Sequence, residues 1–132
     1  MADPRFELAL AAYGKALNRL KEVLAENETT IVRDALIQRF EFTFEAAWRA
    51  AYRWLRARGV AVGEEAFAVL PRALSLSLIS NEAGWTELRQ RRNLTSHTYD
   101  EALAVEVAAF VRTEGIALFD ALLATLRARA DE

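Results

Sequence analysis

The chain has 132 residues, 53% of them hydrophobic, and a formal net charge of −2. That length predicts a single domain with its own core, residues 1–132, and that charge excludes a global field drawing in nucleic acid or an anionic membrane. There is no cysteine, which rules out disulfide staples, thiolate catalysis and Cys-type zinc sites and fits a reducing compartment.

The opening Met1-Ala2-Asp3-Pro4 lacks a basic region followed by an apolar core, and no apolar run approaches the roughly 18 residues of a membrane span. A soluble, cytoplasmic protein without membrane partners is expected. From Phe6, the apolar positions Phe6, Leu10, Tyr13, Leu17, Leu20 and Leu24 step by fours and threes, predicting a first helix from just after Pro4 to about Ala25. Asn27 to Thr30 is a polar connection, and Thr29 or Thr30 can cap a second helix over roughly 31–58.

On that second helix, Leu36, Phe40, Phe44, Ala47, Trp48, Ala51 and Leu55 form the stripe expected to be buried. Phe42 and Trp54 point away from it. They predict either a further interface, most simply a symmetric dimer, or packing under a loop. Asp34, Gln38, Glu41 and Glu45 read as a solvated face, with Glu45 able to pair with Arg49 one turn on.

Gly59 suits the left-handed position that ends helix two. Helical tendency resumes over 64–80, where Pro71 predicts a break near Leu70 or two short helices meeting there. The Ser75-Leu76-Ser77-Leu78 alternation is too short and isolated to make a sheet. Ser80 or Asn81 can cap a fourth helix through Trp85, Leu88 and Arg92 toward Ser96. Thr98-Tyr99-Asp100-Glu101 has the form of a capping box, so Thr98 is expected to start a fifth helix. Its stripe would include Leu103, Val107, Phe110, Ala117, Ala121 and Leu122. The class is therefore all-α: an up-and-down bundle of about five helices, four long and one short or broken.

The junction between the last two helices carries the chemistry. His97 is the only histidine of the chain, and an imidazole can both take and give a proton near neutral pH. Arg92 offers a permanent charge and a fork of donors suited to phosphate oxygens. Asn93 and Tyr99 add neutral hydrogen-bonding groups. On a continuous helix, Arg92, Ser96 and Tyr99 share a face while His97 lies roughly 140° from Arg92. A break before Thr98, the reach of arginine, or a second copy across a two-fold axis could each bring guanidinium and imidazole to one phosphate. The dimer would also supply two histidines, one base and one acid. Against this stands the bland reading, in which a lone histidine at a helix junction only ties down backbone groups. No metal-ligand spacing, Gly-rich phosphate loop or Gly-x-Ser-x-Gly elbow occurs, so neither metal nor cofactor is expected.

The stretch Asp34-Ala-Leu-Ile-Gln-Arg-Phe-Glu-Phe-Thr-Phe-Glu45, followed by Trp48, Trp85 and Arg92-Asn-Leu-Thr-Ser-His-Thr-Tyr-Asp-Glu101, resembles the nucleotidyltransferase substrate-binding protein family, of the HEPN superfamily of helical bundles. The resemblance spans most of the chain and departs at Pro71, since the family pattern has a proline earlier. It implies a homodimer partnered with a small MNT-type nucleotidyltransferase, as a complex or a toxin–antitoxin module. In related HEPN toxins an Arg-x4-His pair is a metal-independent ribonuclease centre. That pattern implies Arg92 as stabiliser of the phosphorane, His97 as acid or base, Asn93 as orienting residue and Tyr99 as a tyrosine the partner modifies. The alternative it implies is a non-catalytic subunit that presents a nucleotide or another substrate to the partner.

Overall fold

The computed structural model describes residues 3–132. All regular structure in them is helical: α1 (Pro4–Leu24), α2 (Thr30–Ala57), α3 (Ala66–Ser75), α4 (Glu82–Leu94), a 3-10 turn (Thr95–His97), α5 (Glu101–Phe110), a π turn (Val111–Gly115) and α6 (Ile116–Ala128). Since α5, the π turn and α6 follow without a gap, they make one rod, and the result is the expected helical bundle of five rods. None of the described helices is long and apolar enough to cross a membrane.

Local chemistry sets the helix ends. The Asp3 carboxylate accepts the Arg5 and Phe6 amides at 2.7 and 3.4 Å, and Pro4 sits in the first turn, where its missing N–H is no loss. Thr29 caps α2 by accepting the Val32 amide at 3.1 Å. At the far end of α2, Val60 N–H donates to the Leu55 carbonyl and Gly59 N–H to Arg56, both at 3.0 Å. This closure needs a left-handed residue, and Gly59 supplies it with φ +76°. The same closure ends α3, through Leu78 to Ala73 at 2.8 Å and Ser77 to Leu74 at 3.1 Å, but there the left-handed residue is Ser77, φ +61°.

Helix α3 corrects an expectation. It runs unbroken through Pro71. The proline lies on the solvent side, and so does Phe67, whose carbonyl loses its helical donor, so water can serve that carbonyl. Val69, Leu70 and Ala73 on the opposite face are buried and hold the helix in place.

The buried stripe of α2 is as the spacing predicts: Leu36, Phe40, Phe44, Ala47, Trp48, Ala51 and Leu55 all lie in the core. Helix α2 is the central element, touching α1, α3, α4, α5 and α6. The two residues off its stripe part company. Phe42 is 59% exposed, whereas Trp54 is buried with its indole N–H on the Arg129 carbonyl at 3.0 Å. Phe119 of α6 meets Tyr13 of α1, Phe40 of α2 and Trp85 of α4 with ring centroids 6.0 to 6.5 Å apart. Four helices thus share one aromatic cluster, and the Tyr13 hydroxyl donates to the Phe119 carbonyl within it.

The last rod corrects a second expectation. Val107, Phe110 and Leu122 are buried as predicted, but Ala117 and Ala121 are exposed, and Val111, Gly115, Phe119, Leu123 and Leu126 take the other core positions. The π turn is the reason. It adds one residue to a turn, so everything beyond lags by about one residue's rotation, roughly 100°.

Arg112 of the π turn ties this rod to the start of the bundle. Its Nη1 donates to the Leu24 carbonyl at the end of α1, and its Nε to Glu28, which also accepts from Arg33. Burial alone would raise the pKa of Glu28, but the hydrogen bonds from Arg112 and Arg33 outweigh it and hold the carboxyl below its ordinary value.

A candidate site at the α4–α5 corner

Asn81 starts α4 by accepting the Gly84 amide at 2.8 Å. A side chain at residue 84 would collide with that Asn81 group, since a Cβ there would lie 2.8 Å from its amide nitrogen. The helix so begun points its last turn at α2, with Arg91 and Arg92 near the carbonyl end, where positive charge is favoured. The adjacent arginines face different ways. Arg91 pairs with Glu87 at 3.1 Å and lies 5.4 Å from the centre of the Phe110 ring on α5.

Arg92 turns to α2. Its Nε donates to Glu45 Oε1 and its Nη1 lies against Glu41 Oε2, both at 3.3 Å. The same Nη1 donates to Thr95 Oγ1 at 3.0 Å, and Thr95 returns its hydroxyl proton to the Arg92 carbonyl at 2.7 Å. Thr95 is one of two buried polar residues of the chain's described part, so this bridge is shielded from water. Glu45 is fixed in turn by the Trp48 indole, whose N–H reaches Oε2 at 2.9 Å. The Arg92 side chain keeps 28% of its surface exposed.

Arg92 and Asn93 line an open groove of about 440 Å³, together with Glu45, Trp48, Phe67 and Arg89 among others. His97 and Tyr99 are not part of that lining. Both are exposed, Tyr99 at 86%, and their rings sit edge to face with centroids 6.1 Å apart. The four residues picked from the sequence therefore share one corner in two groups. Arg92 and Asn93 face the α2 groove, and His97 with Tyr99 stands outside it. The backbone explains the separation, because α4 stops at Leu94 and the 3-10 turn of Thr95–His97 carries the histidine past the helix end. The His97 imidazole makes no hydrogen bond to the described residues, while its backbone carbonyl accepts from the Asp100 amide at 3.1 Å. It does not tie down backbone groups.

Two further expectations change here. Thr98 does not cap α5. Its hydroxyl donates back to the Thr95 carbonyl at 3.0 Å, and Asp100 is the cap, accepting the Leu103 amide at 3.3 Å. Glu45 does not pair with Arg49, whose guanidinium instead lies 5.4 Å from the Trp48 ring centre. Glu41 and Glu45 belong to the site although their spacing reads as a solvated face. The signal that could have found them is the Glu-x3-Glu pair inside an otherwise aromatic stretch, one helical turn apart and so able to grip a single cation together. No group of three or more His, Asp or Glu side chains arranged to hold a metal ion occurs among the described residues.

The sequence pattern of the family described as "Nucleotidyltransferase substrate binding protein like" matches residues 8–128. A protein of Haemophilus influenzae (strain ATCC 51907 / DSM 11121 / KW20 / Rd), named "Probable ribonuclease HepT", is 36% identical over 90 residues, which cover 62% of this chain. The chain spans 62% of the length of that relative. The match of the family pattern covers both α2, with its two glutamates, and the Arg92 to Tyr99 corner, and the chain belongs to the nucleotidyltransferase substrate binding protein family.

Proposed function

We propose that this chain is the HEPN-type partner of a small MNT nucleotidyltransferase in a cytoplasmic toxin–antitoxin module, and that its homodimer is a metal-independent endoribonuclease. The observation that carries the reading is an exposed imidazole, without a hydrogen bond among the described residues, at the same corner as a guanidinium already oriented on a groove. The family description and the ribonuclease named among its relatives support it. Within one protomer Arg92 and His97 do not share the groove, so the reading needs a second copy. Leu8 and Phe42 leave an apolar face along α1 and α2, and the groove there adjoins that of Arg92 through Glu45. The proposed homodimer uses that face as its contact and has its two imidazoles meet at one cleft.

In the proposed reaction a 2′-hydroxyl of RNA attacks the adjacent phosphorus while one His97 takes its proton. The bond to the 5′-oxygen breaks, and the other His97 protonates that leaving group. Arg92 balances the charge that grows on the phosphoryl oxygens, and Asn93 orients them. The products are a 2′,3′-cyclic phosphate and a free 5′-hydroxyl. Tyr99 gives the partner its handle: its exposed phenol oxygen attacks the α-phosphate of a nucleoside triphosphate, and pyrophosphate leaves. The resulting anionic adduct, two residues from His97, blocks the cleft and repels RNA.

The test is incubation of purified wild-type protein and His97→Ala with labelled RNA in EDTA, with end-group analysis. Wild-type cleavage to cyclic ends, lost in the variant, is the expected result. The acidic surroundings of Arg92 favour one other reading, a non-catalytic subunit that presents a nucleotide to the partner. Absence of cleavage by either protein between about pH 5 and 8 would move the conclusion there.

A further inference from the structure

The two carboxylates on Arg92 are not equivalent. Glu45 is held at both oxygens, one by Arg92 Nε and the other by the indole of the buried Trp48. Glu41 has one partner only: among the described residues it makes no hydrogen bond or ion pair except that at 3.3 Å to Arg92 Nη1. A group fixed at two points stays put, while one held at a single half-exposed contact exchanges readily with solvent or a competing anion. The fork of Arg92 is likewise divided. Nε belongs to Glu45, Nη1 is shared by Glu41 and Thr95, and Nη2 has no hydrogen-bond partner among the described residues.

A phosphodiester binds arginine best through two parallel N–H bonds. If Glu41 leaves, Nη1 and Nη2 form such a pair without disturbing Nε. We propose that Glu45 is a positioning residue that aims the Arg92 fork, and that Glu41 is a displaceable stand-in that competes with the RNA phosphate for Nη1. This rests on the reading of the Arg92 groove as an RNA site. It assigns opposite effects to two glutamates one turn apart. Glutamine at 41 removes the competing charge and keeps the shape. Glutamine at 45 cannot serve both of its neighbours, because Arg92 Nε and Trp48 Nε1 are both donors and one would face the amide nitrogen.

The experiment uses wild type, Glu41→Gln, Glu45→Gln and Arg92→Ala, each checked for folding by thermal melting. Binding of a 2′-O-methyl RNA that cannot be cleaved is read by fluorescence anisotropy at low salt, and cleavage of the matching RNA gives kcat and KM. Glu41→Gln should tighten binding and lower KM by about three- to tenfold. Glu45→Gln should lower kcat by about tenfold or more, with a smaller change in KM. A role in stability alone would move the melting temperature and leave kcat and KM unsplit. Equal effects of the two substitutions, or weaker binding by Glu41→Gln, would overturn the proposal while Arg92-dependent binding kept the site. Wild-type binding that survives Arg92→Ala would instead overturn the site, and the proposal with it.

Discussion

Tyr13 offers a test of the core in which pH reverses the sign of a substitution. The residue is fully buried, and its hydroxyl donates to the Phe119 carbonyl across the bundle. Tyr13→Phe removes that hydroxyl and leaves the ring packing in place. At neutral pH the loss is one buried hydrogen bond, about 1 kcal/mol, or a fall of about 3–5 °C in Tm. Burial, and after it the charge of Asp120, pushes the Tyr13 pKa well above its ordinary value. The folded protein thus keeps the phenolic proton at a pH where the unfolded chain, with a tyrosine pKa of about 10, has lost it. Stability from this group is fully present below about pH 10 and drains away as pH rises further, by about 1.4 kcal/mol per unit. Phenylalanine has nothing to ionise. The 1 kcal/mol advantage of the wild type is therefore cancelled near pH 10.7 and reversed above it, by the same roughly 1.4 kcal/mol per unit. Urea unfolding of both proteins, at neutral pH and in steps from about pH 9 to about pH 11.5, measures the difference directly. A gap that stays constant over that range would mean that Tyr13 ionises as freely in the fold as outside it, and would refute the argument.

The two left-handed helix ends make a paired prediction. Apart from Gly59 itself and its two chain neighbours, no atom lies within 4 Å of where a Gly59 Cβ would be, so Gly59→Ala should cost about 1 kcal/mol from the backbone alone, and Ser77→Gly should gain about 0.5 kcal/mol, both read by denaturant melts. Glu28 predicts an acid limb. Its lowered pKa contributes stability that is fully present above the ordinary carboxylate range and is lost as pH falls through the lowered value. Glu28→Gln should thus be less stable than wild type at neutral pH, with the gap closing in acid. A gap that persists below about pH 2.5 would show that the contact does not depend on ionisation.

Much of the fold is legible in the residues because the apolar spacing of α1 and α2 is long and regular. Phe6, Tyr13, Leu17 and Leu20 are buried where the period puts them, and so is the whole main stripe of α2. What the period does not carry is a change of period, which is why Ala117 and Ala121, beyond Phe110, come out on the wrong face. The Thr98 error has a similar root. Two residues that can each cap a helix stand two apart, and the choice between them depends on the 3-10 turn before them, which spacing does not encode. At the site, Arg92, Asn93, His97 and Tyr99 stand out by residue type and by resemblance. Glu41 and Glu45 do not, since Arg92 lies more than forty positions away in the chain and only the crossing of α4 over α2 brings the charges together.

The π turn also decides where this protein can change length. Removing one residue from 111–115, for instance the exposed Thr113, would turn the bulge into ordinary α-helix and leave Phe119, Leu122 and Leu126 still facing inward. The same deletion three turns later, within α6, would swing the residues after it by roughly 100° and turn Leu126 toward water. The bulge thus acts as an expansion joint in an otherwise rigid rod. Relatives that differ by a single residue there could keep the same core, and the corner that carries Arg92 and His97 would not feel the difference.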